Sequence, residues 1–369
     1  MPAASLRFVR QVFVWFSVGW ALSGCATTGP AINRTEYEAA QSSLRIKALQ
    51  FRYRQTVRVL TVGMRVLNAL SADSRVTPSA YVGVIVAPLD WEVGRAFGLL
   101  GEVIGGRNKG RQAVVVTGVV PGSPADQAGF KPGDLLLRVA GRAVWTAADA
   151  VSAFRHLVPN TTVAVVVERD RLPTTLTVSV GAKPYPVTFR VVADGEEAEV
   201  WNAWASPGQI TVTSRLLEFM RSDDELAVVI GHELAHLTQG HLAKGMGTSL
   251  LGSVLGTVIE VATGVEVLGN VTGGIVQTAF SRDFEREADY IGLRYTHRAG
   301  YDIAVAPGLW ERVATELPSR AAIPWLSTHP SDPERMVRLQ KTVAEIKAQD
   351  ATIPPASSGV PAQRPPDRG

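Results

Sequence analysis

Between positions 35 and 70, apolar residues recur at mostly three- or four-residue steps, at Leu44, Ile46, Leu49, Val57, Leu60, Met64 and Leu67, within a stretch rich in helix formers. The spacing predicts one long amphipathic helix within residues 33–75, packed on a folded domain; its heptad is irregular, which makes a partner-binding coiled coil the weaker reading. The period then changes. Residues 80–182 carry β-branched runs at 114–120, 135–139, 163–167 and 176–180, separated by Gly and Pro turns, and predict a small β-rich domain. Lys183-Pro184-Tyr185-Pro186 reads as a linker, because two prolines disfavour regular structure. A further domain is expected over 185–348. Within it Leu226, Val229, Ile230 and Leu234 restore a helical period, and Asp223-Asp224-Glu225 supplies the acidic first turn that suits a helix N-terminus.

Other stretches follow neither period. At the N-terminus, Arg7 and Arg10 precede an apolar run over 12–22, then Ser23, Gly24 and Cys25, which is the layout of a secretory signal over residues 1–25. The run is short for a membrane span. Residues 245–279 are apolar and Gly rich, broken by Glu260 and Glu266, and are expected to form buried or lid-like helices near a cleft rather than a span. Residues 350–369, rich in Pro, Ser and Gly, read as a disordered tail.

The 369 residues are 46% hydrophobic, ordinary for globular domains, and allow two or three of them. Net charge is 37 − 34 = +3, and removal of Arg7 and Arg10 with the signal leaves about +1. With no basic block, a nucleic-acid surface is set aside. Cys25 is the only cysteine, so no intrachain disulfide forms.

His232-Glu233-Leu234-Ala235-His236 spells HExxH. Four residues of α-helix rise about 6 Å and turn slightly more than one full circle, so both imidazoles leave one face and can hold one metal. Glu233 projects to the side where a water at that metal would lie and can take its proton. A surface helix with two solvated histidines would not be so apolar. A third protein ligand is required for catalytic zinc. His241 is close in sequence, but it lies five residues past His236 with Gly240 at four, the wrong register for a metzincin, and is read as a structural or helix-end residue. Downstream, Glu285 and Asp289 lie four apart on a predicted helix. Glu285 can reach the metal, and Asp289 can accept the second N–H of a ligating histidine. Arg286 and Glu287 read as its solvated face.

HExxH followed by Ser281-Arg282-Asp283-Phe284-Glu285-Arg286-Glu287-Ala288-Asp289 resembles the gluzincin metallopeptidase family of HtpX, BepA, LoiP and the type I CAAX prenyl endopeptidase. Asn202-Ala203-Trp204-Ala205-Ser206-Pro207-Gly208-Gln209-Ile210 resembles that family's NAFxxPGGxI strand, departing from it at Trp204 and Gln209. The resemblance implies an edge strand, with Gly208, Gln209, Ile210, Thr211 and Val212 pairing an extended substrate. Thr328-His329-Pro330 with Arg335 resembles the family's THPxxxxR segment, which implies that His329 lies near the metal. There it either stabilises the oxyanion or occupies the open metal position in a self-inhibited state. Arg335 assists that charge or pairs with a carboxylate. One Zn2+ per chain is implied, on His232, His236 and Glu285.

Val119-Val120-Pro121-Gly122-Ser123-Pro124-Ala125, Ala128-Gly129, Gly133-Asp134 and Val139-Ala140-Gly141 resemble the PDZ domains of envelope proteases. That resemblance implies a loop at Tyr81, Val82, Gly83 and Val84 that holds a peptide carboxylate, with a strand after it that accepts the peptide. Residues 88–112 make an insertion longer than the pattern needs. Leu22-Ser23-Gly24-Cys25 resembles the bacterial lipobox, implying a lipid on Cys25, anchorage to a membrane and, from Ala26, the outer one. The expectation is an α+β chain: a mostly helical HExxH peptidase domain with a small edge sheet, behind a β-rich PDZ domain. The expected activity is zinc-dependent cleavage of misfolded or misassembled proteins of the bacterial envelope, facing the periplasm, in protein quality control. The rival is an envelope chaperone or scaffold that uses its PDZ domain, with a structural or self-inhibited metal site.

Overall fold

Helix α1 (Arg34–Asn68) opens with a reciprocal cap, in which Glu36 N donates to Asn33 Oδ1 and Asn33 N donates to the Glu36 carboxylate. The computed structural model describes residues 30, 32–70, 76–99, 113–246, 265–267, 280–317, 329 and 333–352. Contacts divide the chain into Met1–Ser43 and Leu44–Gly369. In the larger unit α1 buries Tyr53, Val59, Val62, Met64, Val66 and Leu67. Leu44, expected on the packed face, is 66% exposed. The buried face lies in the C-terminal half, where Gly63 rests on the Phe189 ring so closely that a Cβ there would stand 2.6 Å from it.

The β-rich part runs β1 (Ser79–Tyr81), β2 (Val84–Pro88), α2 (Trp91–Ala96), β3 (Val114–Val119), α3 (Pro124–Gln127), β4 (Leu135–Val139), β5 (Arg142–Ala143), α4 (Ala147–Arg155), β6 (Thr162–Arg169), β7 (Leu172–Ser179) and β8 (Gly181–Lys183). Antiparallel pairing orders the sheet β2-β3-β4-β6-β7, with β5 on β4, while β1 pairs β8. Inward-facing Val84, Val86, Val114, Val116, Val165, Val167 and Val178 meet Ala150, Ala153 and Phe154 of α4 in one core. Each apolar side chain buried there contributes about 1.5–3 kcal/mol. Thr146 and Asp149 form a capping box that fixes where α4 starts. The expected linker begins inside β8, whose buried Lys183 donates to the Val187 carbonyl at 3.0 Å; burial lowers that ammonium's pKa to about 8.

The second part begins with β9 (Thr188–Val192). It continues through β10 (Ala203–Ser206), β11 (Gln209–Thr213), α5 (Ser214–Phe219), α6 (Asp223–Thr238), α7 (His241–Met246), β12 (Val265–Val267), α8 (Arg282–Arg298), α9 (Val305–Thr315) and α10 (Pro333–Thr352). Residues of α1, of a three-stranded sheet in the order β10-β11-β9 and of α6 share one large apolar core, which includes the fully buried Trp310 of α9. The α+β architecture is the one expected. β12 joins β2 of the other sheet, in parallel. Among the described residues no helix is long and apolar enough to cross a membrane. Apart from α7 and β12, residues 245–279 lie outside the described residues, as do Cys25 and most of the expected tail; α10 runs through Thr352 and so enters the stretch read as tail.

Candidate metal centre

The HExxH residues sit where the sequence puts them, on α6, whose N-cap Ser222 accepts from Glu225 N. His232, Glu233 and His236 are all buried. The two imidazoles face each other across a short gap, with Nε2 to Nε2 3.1 Å. His232 Nδ1 lies 2.9 Å from Asp289 Oδ1, so that carboxylate faces Nδ1 while Nε2 is turned toward the cluster.

Glu285 and Asp289 come from α8, which Ser281 caps by accepting from Phe284 N. This helix lies against α6 at Gly231 and Gly292, where a Cβ on Gly292 would stand 2.8 Å from the Gly231 and His232 backbone. Thr296 Oγ1 adds a hydrogen bond to the Ala227 carbonyl at 3.0 Å. The close approach brings Glu285 to 3.5 Å from His232 Nε2 and 3.3 Å from His236 Nε2.

His329 completes the cluster. Its Nδ1 lies 2.9 Å and 3.0 Å from the two Glu285 oxygens and 3.1 Å from His232 Nε2, while its Nε2 is 3.5 Å from Glu233 Oε1. One ligand atom from each of His232, His236, Glu285 and His329 lies within 4.8 Å of the others, and all four residues are buried. Arg335 grips Asp289 with two hydrogen bonds, 2.8 Å from Nε to Oδ2 and 2.7 Å from a terminal nitrogen to Oδ1, and stacks over Trp310. Of the alternatives the sequence left for it, this is pairing with a carboxylate.

The electrostatics follow from burial. Burial by itself lowers the pKa of His232, but Asp289 and Glu285 outweigh it and raise the value to about 9. His236 is dominated by burial and falls to about 3. Burial would raise Glu285, but His329, His232 and His236 hold its carboxyl far below the usual carboxylate range. Ring nitrogens of His232, His236 and His329 and a Glu285 oxygen converge within 4.8 Å in a buried site, a nitrogen and oxygen donor set that fits a divalent metal.

His241, read as a structural or helix-end residue, opens α7 and lies behind the cluster, where the sequence reading places neither it nor Glu287. His241 is fully buried, with Nδ1 3.0 Å from His236 Nδ1 and Nε2 3.1 Å from Glu287 Oε2, and it stacks on Phe284. Glu287, read as solvated, therefore ends a chain of contacts running to His236. The two histidines of the motif are steered alike, His232 by Asp289 and His236 by His241. The signal was a histidine one turn past the motif and an acid two residues past Glu285, spacings that carry no meaning until the helices pack.

Residues 169–343 match the model of Peptidase family M48, and residues 115–169 match a PDZ domain. The chain carries an M48 peptidase domain behind a PDZ domain. It is 38% identical over 135 residues to the mitochondrial metalloendopeptidase OMA1 of Arabidopsis thaliana, covering 36% of this chain and 28% of that protein. It is 29% identical over 153 residues to the beta-barrel assembly-enhancing protease of Escherichia coli, covering 38% of this chain and 31% of that one. The chain thus spans less than half the length of these relatives. Among solved structures it is similar to the HtrA-type protease AlgW with decapeptide, at 25% identity and a TM-score of 0.25, covering 29% of this chain and 30% of that one.

Against this M48 and PDZ framework two expectations are placed differently. Gly208 forms the turn before β11, and Gln209, Ile210, Thr211 and Val212 lie on β11, which is not an edge: β10 pairs it on one side and β9 on the other. Both rows of its backbone groups are taken, so an extended substrate has no ladder to join there. Among the described residues the free edge beside α6 belongs to β10. In the PDZ part, Tyr81 turns into the peptidase core, Gly83 takes φ of +83°, and Val84 opens β2. A Cβ on Gly83 would collide with Ser123, so only glycine fits at that turn.

Proposed function

We propose that this chain is a zinc-dependent endopeptidase of the bacterial cell envelope, acting on misfolded or misassembled proteins, with the PDZ domain recognising substrate or regulating access. The observation that carries the reading is the buried convergence of His232, His236 and Glu285 beside Glu233. These three side chains would hold the zinc ion, which when bound supplies polarisation of the scissile carbonyl and acidification of water. Glu233 takes the proton of the attacking water on its carboxylate and passes it to the leaving amine. Asp289, held by Arg335, orients His232 through Nδ1 so that Nε2 would be free to hold the metal. The scissile strand pairs with the β10 edge next to α6. Anchorage through a lipid on Cys25 facing the periplasm is part of the same reading, supported by the sequence around that cysteine and by the similarity to a beta-barrel assembly-enhancing protease.

A second reading, that the enzyme rests in a shut state, is favoured by His329, which lies among the ligand atoms rather than out in the cleft. In that position it would be a fourth protein ligand to a bound metal, in the place of a catalytic water. The test is cleavage of β-casein by the purified protein beside Glu233→Gln, with zinc measured in both. Cleavage by the wild type alone, at equal zinc, is expected. Cleavage by both would remove Glu233 from the chemistry.

A further inference from the structure

Strand β12 lies on the outer side of β2 with Val265 opposite Val84 and Val267 opposite Val86, and it also contacts α4. It therefore lies between β2 and α4, against a core cluster in which Val84 and Val86 meet Ala150, Ala153 and Phe154. This is the position in which β-augmentation would add a peptide to the sheet. The direction is informative. The Gly83 turn stands at the start of β2, so a peptide whose terminal carboxylate is held at that turn must run toward it, antiparallel to β2. β12 runs parallel to β2 and away from the turn. It takes the edge hydrogen bonds without offering a chain terminus, and one edge accepts one partner.

We propose that residues 265–267 are an intrachain competitor for the PDZ groove, and that a peptide ending in an apolar residue with a free carboxylate binds by displacing them from β2. The proposal rests on the reading of residues 79–183 as a peptide-binding PDZ domain. In the chain, β12 stands between α6, which carries His232 and His236, and α8, which carries Glu285. Displacement thus acts on a segment tethered at both ends to the metal-binding cluster, and coupling between groove and cluster is reciprocal. Occupation by β12 lowers the apparent affinity for outside peptides by the fraction of time the edge is open.

The test uses the full-length protein and its Glu266→Pro variant, since proline cannot sit inside a paired strand without loss of its ladder hydrogen bond. The probe is a fluorescein-labelled decapeptide ending in Leu-Val with a free carboxyl, beside its C-terminal amide, followed by fluorescence anisotropy. Glu266→Pro is expected to bind the free acid on the order of tenfold more tightly than the wild type, and both proteins to bind the amide more weakly. Hydrogen exchange on the wild type, which depends on no variant, is expected to rise at residues 265–267 at saturating peptide. Equal affinity of the two proteins, or exchange unchanged by bound peptide, overturns the competitor and leaves the PDZ reading standing. Binding by neither protein overturns both.

Discussion

His329 Nδ1 lies 2.9 Å from Glu285 Oε1, although 44 residues separate them in the chain, and the same nitrogen is 3.1 Å from His232 Nε2. In the proposed shut state a side chain so placed would compete with water for a bound metal. His329→Ala is expected to raise the rate of casein cleavage on the order of tenfold by removing the shut state, with zinc content unchanged. A lower rate would assign the histidine to transition-state stabilisation instead.

Glu233 is buried beside the ligand cluster and is not one of the converging donors. Glu233→Gln should therefore keep its zinc and lose about 10²–10⁴-fold in rate, the range for a positioned general base. Loss of the metal along with the activity would make Glu233 a ligand or a folding residue.

His241 and Glu287 hold His236 from behind, through contacts of 3.0 Å and 3.1 Å. His241→Ala is expected to weaken zinc binding about 10–100-fold, read by competition with a chromogenic chelator. Glu287→Gln should have a smaller effect, because its carboxylate is half exposed. Unchanged zinc affinity in His241→Ala would reduce that histidine to packing.

In the metal-free chain the pKa of His232 is raised from 6.5 to about 9, so its contribution to stability is present below pH 6.5 and is lost as pH rises through 9. That of His236 is lowered from 6.5 to about 3, so its contribution is present above pH 6.5 and is lost as pH falls toward 3. Zinc must expel the proton of His232, and its affinity should climb between pH 6.5 and 9. The difference in melting temperature between zinc-loaded and chelator-treated protein is expected to widen across that window. A constant difference would sink the assignment.

Gly292 lies against Gly231 with no room for a methyl group. Gly292→Ala should cost about 1–3 kcal/mol in chemical denaturation, as overpacking does, and should weaken zinc binding by moving Glu285 away from α6. Wild-type stability and zinc affinity would mean that the two helices are free to separate.

The local part of the site was legible in the sequence because helical spacing is a local rule. HExxH puts two imidazoles on one face, and the four-residue step from Glu285 to Asp289 puts two acids on another, whatever the rest of the chain does. The Gly and Pro turns of the β-rich part were legible for the same reason, since a turn is set by a few adjacent residues. Gly208 to Val212, a segment read from likeness, was placed on an edge and belongs to a central strand. Edge or centre depends on which neighbours pair, and β9, the parallel neighbour, is a pairing that periodicity does not encode.

What the sequence by itself determined was which side chains bear the chemistry and which face of its own helix or turn each occupies. Only the tertiary structure decided how those faces meet. The glycine contact between α6 and α8 sets the distance from Glu285 to the two imidazoles, and α7 carries His241 to the back of His236. It also decided that β12 covers β2. These are contacts between segments far apart in the chain, fixed by packing volume and by the need of every buried polar group for a partner, and no spacing within one element contains them.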